Sequence, residues 1–384
     1  VNCNKRIALY YPLTHPSNAP GFLRGIFQYA RPAKTWELCL TFGWDARRLF
    51  AWKPDGLLGH VFSADAAAMV ERLTVPVVET AFDFADLKVA RVGLDDRAIG
   101  ALAAEYFLDL GFTQFVYVGE EQRAHATRRW EGYESRLSAA GQQPTHAPPI
   151  FDCDWQDALR PVSNEVHGWL RNLPRPSAVF VSGDGLGLQF LEAARSNGYR
   201  VPEDFAVLGV GDIDPICELA YPPLSSIRTA AEAAGFEAAR LLDRLMQGDA
   251  PPKQRVEFPP LGVVTRRSTD VLAVNDADLA TAMRFIRDHA AQPISVDDVV
   301  EAACISRSTL ERRFRATLGR SPLDEIYRVR LERARHLLAE TDLPMAQVAK
   351  ESGFHDGRRM SEVFHCHTGE APTAYRRKFR IGAA

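Results

Sequence analysis

No stretch of this 384-residue sequence approaches the roughly 18 uninterrupted apolar residues of a membrane-spanning helix. The apolar start Ile7-Ala-Leu-Tyr-Tyr-Pro12 is too short for a signal-peptide core and has no small-residue cleavage site behind it. The expected location is therefore the cytoplasm, with no membrane contact. Cysteine is sparse: Cys3, Cys39, Cys153, Cys217, Cys304 and Cys366 are scattered, with no Cys-x-x-Cys pair. That excludes a disulfide framework and a clustered zinc site. His365-Cys366-His367 has metal-ligating side chains, but neighbours on a helix point about 100° apart, so at most two can face one ion. No metal site is expected. Also missing are a Gly-x-Ser-x-Gly elbow, His-Glu-x-x-His, a Walker A loop and a paired catalytic-carboxylate motif. The glycines in Ser182-Gly-Asp-Gly-Leu-Gly187 have the wrong spacing for a dinucleotide turn. These absences argue against an enzyme and against a cofactor.

What is present is ordinary globular composition, 46% apolar and 25% charged, in a length that predicts two or three domains. Through residue 270, short β-rich runs alternate with amphipathic stretches. The runs are Ile7–Tyr11, Glu37–Phe42, Gly56–Val61, Val75–Thr80, Phe115–Gly119, Ala178–Ser182 and Phe205–Gly209. Between them lie helical patterns such as Gly21–Ala30, Ile99–Leu110, Trp130–Ala140, Leu186–Ser196 and Ala230–Met246. Near-continuous apolar strands separated by helices imply parallel sheets covered on both faces. This many strands needs two sheets, so residues 1–270 are expected to form a bilobed α/β unit of two Rossmann-like lobes. After a linker at 271–278, residues 279–384 carry no β-run, only helices with start signals at Ser295, Ser306 and Ser321-Pro322. The second part is therefore all-α.

That part reads as two helix-turn-helix units, at about 295–318 and 344–367, joined by a helix at about 322–340. In the first, Val296–Ala303, the turn Cys304-Ile305-Ser306, and Arg307–Leu318 supply a helix, a turn and a second helix. Val299, Val300, Ile305, Leu310 and Phe314 form its expected core. The second runs Met345–Ser352, Gly353-Phe354, then His355–His367. The net charge of −3 conceals two basic stretches: nine Lys and Arg against four Asp and Glu in 307–336, and six against two in 358–380. Two basic stretches are either solvated helix faces or two separate contacts with a polyanion, and the helix-turn-helix plan makes that polyanion double-stranded DNA. Ser308 and Arg312 are the candidate base-reading residues of the first unit, flanked by Arg307 and Thr309. Arg359 and Glu362 are those of the second, with Arg358 beside them on the DNA-binding face, since guanidinium can grip guanine and carboxylate can accept from cytosine. Arg307, Arg313, Arg315 and Arg376-Arg377-Lys378 are expected on phosphates.

These residues resemble the DNA-binding domain of the AraC/XylS family. The resemblance is carried by Ile305-Ser306, Leu310, Phe314 and Gly319, and by Val348-Ala349, Gly353-Phe354, Phe364, Gly369, Pro372, Tyr375 and Arg376. The chain departs from the family at Arg358-Arg359-Met360, where Ser, an aromatic and Phe are usual. Residues 5–267 resemble the periplasmic-binding-protein-like core of the LacI/GalR family. Val92-Gly-Leu-Asp95-Asp96, Arg129-x-x-Gly132-Tyr133, Val179–Asp184, Val201–Gly209 and Pro223-Leu-Ser-Ser-Ile227 occur in the family's order.

The two resemblances, with the sensor first and the paired helix-turn-helix last, together imply a small-sugar effector, xylose or a related monosaccharide, a homodimer, and control of sugar-catabolism genes, with RNA polymerase a further candidate partner. Asp95 and Arg129 match the family's ligand-contact positions. Asp184 and Asp212 lie at two further strand ends, where such sheets bind ligands. Trp130, Trp155 or Phe82 can offer a stacking face. Where the family carries a sugar-binding Asp, this chain has Gly211 followed by Asp212. Either Asp212 takes the role by a one-residue shift or the ligand is not the usual pentose. A DNA binder with a non-sugar effector, or with a degenerate sensor, is the alternative reading.

Overall fold

The computed structural model describes residues 5–379 apart from 12–17, 34–35, 42–48, 50, 85, 121–122, 149–162 and 271–275. Trp155 and most of the expected linker lie outside the described residues.

Six strands, β1 (Lys5–Tyr10), β2 (Trp36–Thr41), β3 (Gly56–Gly59), β4 (Val77–Glu79), β5 (Ala90–Leu94) and β11 (Val256–Phe258), form a parallel sheet in the order β11-β5-β4-β3-β1-β2. A second six, β6 (Phe115–Val118), β7 (Thr145–His146), β8 (Ser177–Val181), β9 (Phe205–Gly211), β10 (Ser225–Arg228) and β12 (Gly262–Val264), run β12-β10-β9-β8-β6-β7, with β12 alone antiparallel. The central strands are apolar throughout because helices cover both faces. Strands β5, β10, β11 and β12 escape an apolar-run search because they carry Arg, Gly, Ser or Glu. In β10 the buried polar side chains are satisfied instead: Ser225 Oγ donates to the Arg266 carbonyl at 3.0 Å, and Ser226 Oγ to Asp184 at 2.6 Å.

Helices α1 (Ala19–Ala33), α2 (Ala64–Glu71) and α8 (Ala231–Met246) flank the first sheet. The second lobe holds α3 (Asp96–Asp109), α4 (Ala124–Ala139), α5 (Asn164–Asn172), α6 (Asp184–Ser196) and α7 (Asp214–Leu219). Helices α3 and α4 meet backbone to backbone at Gly100, where a Cβ would lie 2.7 Å from the Tyr133 amide nitrogen. The chain passes between lobes three times, at 94–96, 228–231 and 258–262. These crossings are laced together: the Asp95 amide donates to the Phe258 carbonyl at 2.8 Å, and the Leu261 amide to the Arg228 carbonyl at 2.9 Å.

The remainder is helical: α9 (Ala277–His289), α10 (Val296–Ala303), α11 (Arg307–Leu318), α12 (Pro322–Glu340), α13 (Met345–Glu351), α14 (Gly357–Thr368) and α15 (Pro372–Phe379). Ser295, Ser306 and Ser321 cap α10, α11 and α12, the first and third with reciprocal Asp298 and Asp324 bonds. Helix α9 starts inside the stretch expected to be linker, because Asp276 accepts from the amides of Asp278 and Leu279. Helix α14 starts at Gly357 rather than His355, because Asp356 is its N-cap, accepting from the Arg359 amide at 2.7 Å. Val299, Leu310 and Phe314 close the first unit's core with Leu279 and Ile286 of α9 and Ile326 of α12. At 19 residues, α12 is about 28 Å long. It joins both cores, contributing Ile326 to the first and Leu331, Ala334 and Leu338 to the second.

Candidate functional site

The carboxyl ends of both sheets face a cleft of about 210 Å³ between the lobes. His60 and Phe62 follow β3 and line it, as do Thr80 to Asp83 after β4 and Glu120 after β6. Ser182 and Gly183 line it after β8, and Val210 near the end of β9. Phe22, Phe62 and Phe82 give it aromatic walls. Phe82 is held at φ 65 by the Glu79 carboxylate, which accepts from the Ala81 amide at 2.6 Å and the Phe82 amide at 2.9 Å. Burial pushes Glu79 up to about 7, although those two amides pull the other way.

Arg129 lines the cleft, as its position in the sequence suggests. Its acidic neighbour there is Asp96, not Asp95. Asp96 is 4% exposed and accepts from Arg128 Nη2 at 2.9 Å and Arg129 Nε at 3.0 Å, while Arg129 also donates to the Ser182 carbonyl across the lobe. Asp95 is spent as the N-cap of α3, accepting from the Ala98 amide at 3.0 Å. The two differ by one position at a helix start, and only the second points inward.

Three other expected ligand contacts lie away from the cleft lining. Trp130, one step round the helix from Arg129, packs on Tyr117 and His146 at ring distances of 5.6 and 5.0 Å. Asp184 is wholly buried behind Gly183 and Gly185, accepting from Ser226 Oγ and from the Ile213 amide at 2.9 Å. Burial raises its carboxyl above the usual range. Asp212 sits at φ 53 and accepts from Arg228 Nε at 2.6 Å and Arg266 Nη1 at 2.8 Å. Both of its oxygens are taken by those two guanidiniums, and it does not line the cleft, as the one-residue shift from Gly211 would need. At Gly211 itself a Cβ would stand 3.0 Å from Asp184 Oδ2.

The charges of the cleft cancel among themselves. Asp96 is matched by Arg128 and Arg129, and Arg123 stands 3.9 Å from Asp83 and 3.6 Å from Glu120. His60 is held neutral, pushed down to about 3 by burial, and its Nε2 has no hydrogen-bond partner. His125 is likewise lowered, by burial and then by Arg129 and Arg123. An environment that keeps imidazoles neutral and leaves no surplus cation suits an uncharged, hydrogen-bonding ligand. His60, Asp83, Glu120 and Arg123 were missed by a search for acids at strand ends. The wider rule, every side chain just past a strand's carboxyl end, would have found His60 and Glu120.

The reading helices α11 and α14 each present an exposed face. On α11, Ser308 and Arg312 are exposed, and neither Arg312 nor Arg315 has an ion-pair partner among the described residues. Arg307 pairs with Asp297 at 2.9 Å and Glu311 at 3.2 Å. Thr309 is turned into the cap, its hydroxyl 2.8 Å from Ser306 Oγ. Arg313, expected on phosphate, is instead bound to Asp276 at 2.7 Å and Asp278 at 2.9 Å. On α14, Arg358 and Arg359 share Glu362 at 3.0 and 3.4 Å. Arg359 also lies over the Tyr327 ring and donates to its hydroxyl at 2.8 Å. Arg376 is turned inward, donating to the Leu343 carbonyl at 2.7 Å.

Residues 104–269 match the periplasmic binding protein-like domain family, and residues 299–378 a helix-turn-helix domain family. The xylose operon regulatory protein of Escherichia coli (strain K12) is 27% identical over 370 residues, which is 92% of each chain. That of Haemophilus influenzae is 23% identical over 333 residues, 84% of each. Among solved structures, a xylose-binding transcription activator superposes with a TM-score of 0.59 at 26% identity, covering 97% of this chain and 98% of the other. A cellobiose-bound regulator shares the sensor fold at a TM-score of 0.57 and 23% identity, covering 70% of this chain and 86% of its own. The chain is thus a DNA-binding transcription regulator in which a periplasmic binding protein-like domain precedes a helix-turn-helix domain, similar over nearly its whole length to xylose operon regulatory proteins.

Proposed function

We propose that the protein binds an uncharged monosaccharide, xylose or a close relative, in the cleft between its lobes, and that occupancy sets how its two helix-turn-helix units meet DNA. The observation that carries the sugar reading is the charge balance of the cleft: two arginines and three carboxylates matched to one another or to Arg128, two neutral histidines and three phenylalanine rings. A ring of hydroxyls can bond to such groups while its C–H face lies on an aromatic ring. A phosphate would find no unmatched cation. Arg129, Asp96, His60 and Glu120 are the side chains proposed to meet hydroxyls. Ser308 and Arg312 are the proposed base contacts of the first unit, and Arg358 and Arg359 those of the second. The protein acts in this reading as a cytoplasmic homodimer without catalytic activity, controlling sugar-catabolism genes and meeting RNA polymerase where it activates.

A thermal-shift series with D-xylose, L-arabinose, D-ribose and xylose 5-phosphate tests it. A ligand at 100 times its Kd stabilises by about 2.7 kcal/mol, a rise of roughly 5–10 °C for a sensor of this size. A free aldopentose giving the largest shift is expected. A larger shift with the phosphate ester would overturn the charge argument, and no shift with any sugar would overturn the sugar reading.

A further inference from the structure

The connecting helix α12 meets the sensor where the chain passes between its lobes, and the two lobes hold it differently. Polar ties come from the second lobe. Asp109, at the end of α3, accepts from Arg320 and lies 3.5 Å from Arg328. Both arginines converge on buried Glu325, at 2.6 and 2.7 Å. Burial alone would raise Glu325, but Arg328 and Arg320 overcome it and hold the carboxyl at about 2. At the end of β10, Arg228 Nη1 lies 2.7 Å from His336 Nδ1 of α12. The first lobe meets α12 on a different kind of surface. Its contribution is smooth and apolar: Ala233 of α8 and Phe258 of β11 join the cluster that contains Leu331, Ala334 and Leu338.

Arg228 faces two ways. Its Nε holds Asp212, two residues beyond the cleft-lining Val210, and its Nη1 holds α12. The polar ties fix position and direction, whereas an apolar contact without directional bonds lets one body slide on another.

We propose that the DNA-reading domain is tied to the second lobe and only rests on the first, so that a change in the angle between lobes carries both reading helices with the second lobe. Asp109 and Arg228 are the two ties, and Arg228 makes the end of β9 part of the seat. This rests on the reading of the cleft as a ligand site, and deepens it by naming how occupancy would reach the DNA.

Pulsed electron spin distance measurements on the full chain test the proposal without needing a ligand. Native Cys304 is exposed and carries one label, with Cys3, Cys39, Cys153 and Cys366 replaced by Ser and buried Cys217 left in place. The second label goes to Glu71→Cys in the first lobe or Leu219→Cys in the second, both exposed positions. Gly183→Trp serves as a wedge in the cleft, since a Cβ there meets nothing within 4 Å. The expected result is that the wedge shifts the 71–304 distance and leaves the 219–304 distance in place. A 219–304 shift as large as the 71–304 shift overturns the proposal. Combining Asp109→Asn with Arg228→Met is expected to broaden the 219–304 distribution, and an unchanged distribution also overturns it, whether or not the wedge opens the cleft. Added D-xylose should move the 71–304 distance as an occupant does. If the wedge and the untied variant behave as expected while D-xylose does nothing, the sugar reading falls and the ties stand.

Discussion

Asp96 shows how much one side chain in the cleft has to balance. It is buried between two guanidiniums, and each of these also touches a backbone carbonyl: Arg128 reaches Ala81 and Phe82, and Arg129 reaches Ser182. Asp96→Asn leaves two buried cations facing a neutral amide. Breaking such a pair costs about 3–5 kcal/mol, so the variant's denaturant midpoint should fall accordingly and its sugar-induced thermal shift should vanish. An unchanged midpoint would mean that water reaches these arginines. Glu79 makes a prediction with a definite sign. Its folded value of about 7 lies above its unfolded value near 4.5, so its contribution to stability is complete below 4.5 and is lost as pH rises through about 7. The full loss is on the order of 3 kcal/mol. His60, lowered to about 3, acts in the opposite sense: its contribution is present above 6.5 and falls away as pH drops through about 3. The quantity to read is therefore the difference between Glu79→Gln and its parent. Melting temperatures from about pH 5 to pH 8 should show the variant gaining on the parent as pH rises, and a constant difference would exclude ionisation of Glu79 in that range.

Single elements explain why the reading helices stand where they do. Helix α10 ends with Cys304 in the left-handed region, at φ 53, and the chain turns at once into the Ser306 cap of α11. Behind them, Arg330 of α12 donates to the carbonyls of Ala290, Gln292 and Ile294 at 3.0, 2.9 and 3.1 Å, fastening the loop between α9 and α10. Arg330→Met removes all three bonds, which should lower the stability of the helical domain by on the order of 3 kcal/mol. Hydrogen exchange would show it as faster labelling of 277–303 than of 345–379. On α11, the exposed Arg312 and Arg315 separate two kinds of DNA contact. With duplexes selected from a random pool, Arg312→Ala should cost about 1–3 kcal/mol and relax preference at one base pair. Arg315→Ala should weaken all sequences alike and reduce the salt slope by about one. Identical behaviour of the two variants would mean that Arg312 does not read a base.

At the scale of the whole molecule, α12 belongs to both reading units, so the units are held by one rod of about 28 Å. That length is near the ~34 Å between successive major-groove faces, so the units suit neighbouring turns of one duplex. Because the same rod rests on the domain that holds the cleft, the proposed sugar and DNA would be linked equilibria. The factor by which D-xylose changes affinity for a selected duplex must equal the factor by which that duplex changes affinity for D-xylose. Paired titrations measure both factors. A large effect in one direction with none in the other would mean that the sugar acts on something other than the DNA-binding equilibrium, such as oligomer assembly.

What the sequence alone determined about this protein is its local chemistry and its order of parts. Ser295, Ser306 and Ser321 can be read as helix starts because a cap bonds an amide three residues on. The central parallel strands can be read because a strand covered on both faces must be apolar throughout. The resemblance carried by Gly353-Phe354 or by Val201–Gly209 likewise lies within short segments. The tertiary structure decided which charges are available. Asp212 looks like a ligand contact until Arg228 and Arg266, 16 and 54 residues away, are folded onto it. Arg313 looks like a phosphate contact until Asp276 and Asp278 arrive from another helix. Asp95 and Asp96 are adjacent in sequence, but one closes a helix end and the other is buried against two arginines. A carboxylate or guanidinium is committed by whichever opposite charge the fold brings within about 3 Å, and partners that distant in sequence leave no local pattern to read.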